Sequence, residues 1–142
     1  MGNRNKKRQM TIIESNKVEI KNSIEHVFNY LSNFNNFKHL MPPQVSNWTS
    51  SESECSFTIN GMATIGMKIL EKTPSTHIKI GSYGKVPFDF ILHTNLTSVS
   101  PDTTSGQLVF EAELNPMIKM MVEKPLTNFF NLLVEKMKEI NP

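Results

Sequence analysis

Chemistry at neutral pH needs a titratable or nucleophilic side chain where a substrate can reach it, and this chain offers few. The four histidines, His26, His39, His77 and His93, are the candidate general bases, and Cys55 is the lone thiol. His26 falls off the apolar stripe of its segment. His77 and His93 fall out of phase with the apolar residues around them, so these three are expected to face solvent. His39 follows a phenylalanine-rich turn and is the histidine expected near a cavity mouth. Glu14 shares strand parity with Ile12 and Val18, so a strand facing a cavity would carry its carboxylate inward; an edge strand twisted toward water would leave it outside. Trp48 and Tyr83 add an indole N–H and a phenol at a prospective rim. Glu14, His39 and Tyr83 are the residues to test for acid–base work. Cys55 alternates with Phe57 and Ile59, the pattern of a small buried hydrophobe more than of a nucleophile. No histidine spacing or acid cluster marks a metal site, and neither metal nor cofactor is expected.

The elements that must position these residues are mostly strands. Two alanines stand against twelve isoleucines and nine phenylalanines, a bias toward sheet. Residues 11–20 read as a first strand with Ile12, Val18 and Ile20 on one face. Asn22 then starts a helix, with Glu25 three residues on and Ile24, Val27, Phe28 and Leu31 as its buried stripe. Phe34, Phe37, Leu40 and Met41 make a second short helical turn, ended by Pro42 and Pro43. From Val45 to Leu114 the period becomes two. Cys55, Phe57 and Ile59 form one strand; Asn60-Gly61 turns the chain; Ile65, Met67 and Ile69 return. Ile78 and Ile80 mark a short strand, residues 81–87 a loop, and Phe88, Phe90, Leu92, Thr94 and Leu96 one face of a long strand. Leu108, Phe110, Ala112 and Leu114 line the last one. Asn115-Pro116 caps a final helix whose stripe runs through Leu126, Phe129, Phe130, Leu133, Met137 and Ile140. Pro125 should kink or split that helix. The sum is an α+β fold, a curved antiparallel sheet of about seven strands around a long C-terminal helix.

Length and charge narrow the classes further. One domain fits 142 residues. Apolar runs are too short for a membrane span, which with one unpaired cysteine suits a cytoplasmic protein. Arg4, Lys6, Lys7 and Arg8 put four positive charges in the first ten residues, while from Thr11 onward eleven lysines face thirteen acids. Residues 1–10 therefore read as a disordered basic tail or an upstream extension, Met10 being a possible start, and 11–142 as the domain. That domain lacks arginine and with it the guanidinium fork for phosphate or guanine, so specific nucleic-acid binding is not expected.

Val18-Glu19-Ile20, then residues 23–32 (Ser-Ile-Glu-His-Val-Phe-Asn-Tyr-Leu-Ser), then Phe34 through the prolines resemble the START and birch-pollen-allergen-like superfamily (SRPBCC). The closing Leu114-Asn115-Pro116-Met117 and Pro125-Leu126 resemble its uncharacterised bacterial members. The resemblance spans residues 11–140 and implies a helix-grip fold, whose sheet and long helix enclose a cavity for a hydrophobic or amphipathic small molecule. On that reading the ligand-binding residues are Trp48, Phe57, Ile59, Ile65, Met67, Ile80, Phe88, Phe90, Phe110, Met117, Met121 and Phe129, with residues 81–84 and the Pro125 kink as gate. An aromatic and methionine stripe is equally what a plain core looks like. Two alternatives follow: a polyketide cyclase or dehydratase-like enzyme, and a protein-interaction module with a filled core. The superfamily's cyclases place polar groups in the pocket, whereas few polar residues here are in phase to do so.

Overall fold

The computed structural model describes residues 10–140; the reading of residues 1–9 as a tail lies outside them. The elements run β1 (Met10–Glu14), β2 (Val18–Ile20), α1 (Ile24–Leu31), α2 (Phe34–Phe37) with a 3-10 turn (Lys38–Leu40), then β3 (Val45–Ser50), β4 (Glu54–Ile59), β5 (Ala63–Thr73), β6 (His77–Ser82), β7 (Ile91–Ser100) and β8 (Thr103–Glu113), and finally α3 (Pro116–Met137). All eight strands join one antiparallel sheet, ordered β1-β8-β7-β6-β5-β4-β3, with β2 beside β1 along β8. The inner face of the sheet and α3 share one core with α1 and α2. This is the helix-grip architecture.

The expected first strand is broken in two, and the break reverses its parity. Glu14 pairs with Val109 and Val18 with Gly106, so four steps along one strand meet three along the other. The extra residue is a bulge. It is held by Ser15, whose N–H donates to the Leu108 carbonyl (2.9 Å) and whose hydroxyl accepts from the Leu108 N–H (2.9 Å). Asn131 of α3 accepts from the Asn16 N–H at 2.8 Å. Ile13 therefore points into the core at 4% exposure while Ile12 stands outside at 53%. Glu14 follows Ile12 to the outer face.

The first helix is capped one residue later than expected. Ser23 is its N-cap, accepting from the His26 N–H at 3.2 Å. Asn22 is buried instead, its carbonyl accepting from the Thr104 hydroxyl (2.8 Å) and its side chain from the Ser23 N–H (3.0 Å). Asn60-Gly61 turns β4 into β5 as expected, with Gly61 at φ +81° where a side chain is disfavoured. Strand β6 continues through Gly81 and Ser82, and β7 begins only at Ile91. Phe88 and Phe90 thus belong to the connection and not to a strand. Asn115 caps α3, accepting from the Ile118 N–H at 2.9 Å, with Pro116 in the first turn. The helix then runs through Pro125 unsplit. Pro125 has no N–H, so the Met121 carbonyl lacks its helical donor.

Candidate ligand-binding site

The inner face carries a continuous run of aromatic rings. Trp48 stacks on Phe57 (5.4 Å between centroids) and Phe57 on Phe129 (6.1 Å). Phe129 meets Phe130 (5.6 Å), which meets Phe110 (5.6 Å), and Phe110 meets Phe90 (5.5 Å) and Phe88 (6.2 Å). Each element contributes for a local reason. Strand alternation turns Phe57 and Phe110 inward, α3 supplies adjacent Phe129 and Phe130 on its core side, and a bulge between Ser46 and Thr49 breaks the β3 register beside Trp48. The Trp48 indole N–H donates to the Ser50 hydroxyl (3.0 Å), which donates to Asn35 of α2 (2.7 Å). That chain of bonds fixes the ring.

Between these rings lies a small void of about 30 Å³. Its lining is wholly apolar and includes Met41, Phe57, Ile65, Met67, Phe90 and Phe110. A single water needs roughly 10–15 Å³ of such space, so the void is that of a nearly filled core, and with no polar partner it stays dry. Outside it, at the open end of the sheet, a groove of about 500 Å³ lies between the β4–β5 turn, Pro87-Phe88 and the first half of α3. Ile59, Phe88 and Phe129 border both volumes and form the partition between them. Gln44, Asn60 and Asn128 are the amides on the groove wall.

The loop over this end is fastened at its base. The Ser82 N–H donates to the Phe90 carbonyl (3.0 Å), and the Phe90 N–H returns to the Ser82 hydroxyl (3.1 Å). The Tyr83 N–H donates to the Gly66 carbonyl at 2.9 Å, and a side chain at Gly66 would run into the Tyr83 carbonyl. The expected gate of residues 81–84 is therefore half strand, and the mobile candidate shifts to the tip that carries Gly84 (φ +73°), Pro87 and Phe88.

Most of the expected ligand residues gather here. Phe57, Ile59, Ile65, Met67, Phe88, Phe90, Phe110 and Phe129 line the void. Ile80 is buried beside it in β6, and Trp48 backs Phe57. Met121 lines the groove, although it is 68% exposed. Met117 is 72% exposed and lines neither volume. The core stripe of α3 starts at Val122, five residues and thus about 140° further round the helix. Phe37, Met41, Leu92, Leu126, Phe130 and Leu133 complete the void's wall, while Gln44, Asn60 and Asn128 were missed as site residues. Nothing in an isolated exposed amide signals that a groove will form beside it.

The three acid–base candidates do not come together. Glu14 and His39 are exposed, Glu14 on the outer face because of the bulge. Tyr83 is exposed on the outer side, where Lys68 Nζ sits 5.5 Å from its ring centroid. Cys55 is buried and its thiol is pushed up to about 12 by desolvation, so it holds its proton. His77 and His93 do lie on the outer face, as their phase implies, and they are bonded to each other. His77 Nε2 and His93 Nδ1 are 2.8 Å apart, and His93 Nε2 is 3.4 Å from Glu111 Oε1.

No protein-family profile matches the chain, and no curated protein does. Solved structures do. Norcoclaurine synthase from Thalictrum flavum, in complex with dopamine and hydroxybenzaldehyde, aligns with TM-score 0.71 and 13% identity over 98% of this chain and 91% of that one. A START superfamily protein from Mycobacterium smegmatis gives 0.66 and 15% over 92% and 94%, and XoxI from Bacillus cereus 0.70 and 10% over 92% and 93%. The chain thus shares the helix-grip fold of these structures. No helix among the described residues is long and apolar enough to cross a membrane.

Proposed function

We propose that the chain binds a small hydrophobic or amphiphilic molecule, which enters through the groove and seats its apolar part among the rings behind Ile59, Phe88 and Phe129. The observation that carries this reading is the shared partition: an apolar void and an open groove meet at three side chains, one of them on a loop tip. The groove volume falls in the range of small-molecule sites, ~300–1,000 Å³. Binding is favoured over catalysis because, among the described residues, no titratable side chain lines either volume. The neighbouring synthase holds two small aromatic compounds, which agrees with the proposed ligand in having an apolar ring. Titration with 1-aminoanthracene, read by its own emission and by the single tryptophan, tests the site. Saturable one-to-one binding that Phe88→Lys abolishes, with thermal unfolding kept, is the expected result. Equal binding by both proteins would reject the assignment.

A second reading rests on Met117, Met120 and Met121, exposed together on the first turns of α3. With a nearly filled core, this apolar patch suits a protein-interaction module. Native mass spectrometry of gently purified protein separates the two. A co-purified small molecule supports the first reading, and a co-purified polypeptide on an otherwise bare chain supports the second.

A further inference from the structure

Resting on the binding site proposed above, we infer that its ligand carries an uncharged, hydrogen-bonding headgroup on an apolar body, as an alcohol or primary amide does and a carboxylate or ammonium does not. Among the described residues, the walls of the void and groove together contain no Asp, Glu, Lys, Arg or His. The polar groups that the groove does offer are neutral. Asn60 Oδ1 already accepts from the Ser46 hydroxyl at 2.9 Å, which orients the amide and leaves its NH₂ as the donor. Gln44 and Asn128 add two more amides. Met121 and Pro125 add only apolar side chains to this groove, so the amides are its hydrogen-bonding side chains.

Charge decides the selectivity. An ion moved from water against apolar walls loses hydration that only an opposite charge or several charge-assisted bonds restore. A neutral hydroxyl or amide loses far less, and amide partners repay it. The fully apolar interior then takes the chain or ring, and the headgroup lies against the apolar and amide wall of the groove.

The test uses the intact chain and four ten-carbon probes (decanol, decanamide, decanoate and decylammonium), titrated at pH 7.5 by calorimetry and by emission of Trp48. Decanol and decanamide are expected to bind at least tenfold more tightly than either ion. Met121→Lys, which places a cation on the groove wall, is expected to shift the decanoate-to-decanamide affinity ratio about tenfold toward decanoate. Decanoate or decylammonium binding the unaltered chain within threefold of decanamide would overturn the neutral-headgroup inference while leaving the site standing. Failure of all four probes to bind would overturn the site and this inference with it.

Discussion

Replacing Phe129 by alanine should join the small inner void to the groove outside it. Phe129 is buried at 4% exposure, contacts Phe57 and Phe130, and borders both volumes. Core Phe→Ala changes cost about 3–5 kcal/mol, with about 2.4 kcal/mol for each 100 Å³ of cavity that does not collapse. Phe129 stands at the boundary, where water can fill part of the space, so the lower end, about 3 kcal/mol, is the expected loss. For a chain of this size that lowers Tm by roughly 10 °C.

The same change should improve the site. Aminoanthracene at a hundred times its Kd stabilises the folded state by about 2.7 kcal/mol, nearly the whole loss, and the enlarged pocket should bind it more tightly than the parent does. The assay is differential scanning fluorimetry with and without probe, on the parent, Phe129→Ala and Leu31→Ala. Leu31 is fully buried in α1 and lines neither volume, so its variant should lose about 2–5 kcal/mol and gain no more from the probe than the parent does. A probe-induced shift for Phe129→Ala no larger than the parent's would refute the reasoning, as would a Phe129→Ala loss under about 1 kcal/mol.

Thr94 is buried in β7 with its hydroxyl unpartnered, so Thr94→Val should raise stability by about 1 kcal/mol in urea unfolding. A loss of that size would mean the hydroxyl has a partner. Cys55 should resist Ellman's reagent at pH 8 in the native protein and react fully in denaturant, since it is buried and its thiol is pushed up to about 12; rapid native labelling would contradict the packing around it. His77 is held below its ordinary value of 6.5 chiefly by burial, then by His93 and Lys79, with Glu71 opposing. Its depressed folded value means the unfolded chain takes up the proton first. The stabilisation is therefore complete above about pH 6.5 and lost as pH falls toward the lower folded value. His77→Gln should flatten that slope in unfolding measured from pH 8 to 5, and an unchanged slope would assign it elsewhere. Gly66→Ala should cost about 2 kcal/mol by pushing Tyr83 and the loop base away, read by chemical unfolding together with altered probe affinity; wild-type values for both would show the contact to be relieved cheaply.

Element order, the turn at Asn60-Gly61 and the cap at Asn115 were legible because local chemistry sets them. Cys55, Phe57 and Ile59 needed nothing beyond alternation. The parity of the first strand was not legible, because the bulge at Ser15 is held by Leu108 and Asn131, nearly a hundred residues away or more. One inserted residue exchanges Ile12 for Ile13 and puts Glu14 in solvent. Met117 misled for a different reason. Its helix has an apolar residue on nearly every side in the first two turns, so periodicity does not choose a face, and full burial on α3 begins only at Val122. His77 and His93 could be placed outward from phase, but their contact depends on a diagonal between β6 and β7 that only the register supplies.

Cavity volume is the property furthest from sequence, since it is what remains after every side chain has packed. A stripe of Phe57, Phe90, Phe110, Phe129 and Phe130 is compatible with an open pocket or a closed core, and about 30 Å³ puts the empty state near the closed limit. An empty apolar pocket would forgo dispersion contacts around its whole wall, so collapse onto the rings is what packing favours without a ligand. The partition that must move to reopen it is light. Phe88 is only half-buried and rides on a loop tip next to a glycine turn, while the loop base is held by backbone bonds at Ser82 and Phe90. Opening at the tip leaves those bonds intact and exposes one ring. A ligand then binds with its intrinsic affinity reduced by the fraction of open molecules. Loosening the tip should therefore tighten binding, and Phe88→Ala, which removes the door and spares the frame, should bind decanamide more tightly than the parent; weaker binding would make Phe88 a ligand contact and no door.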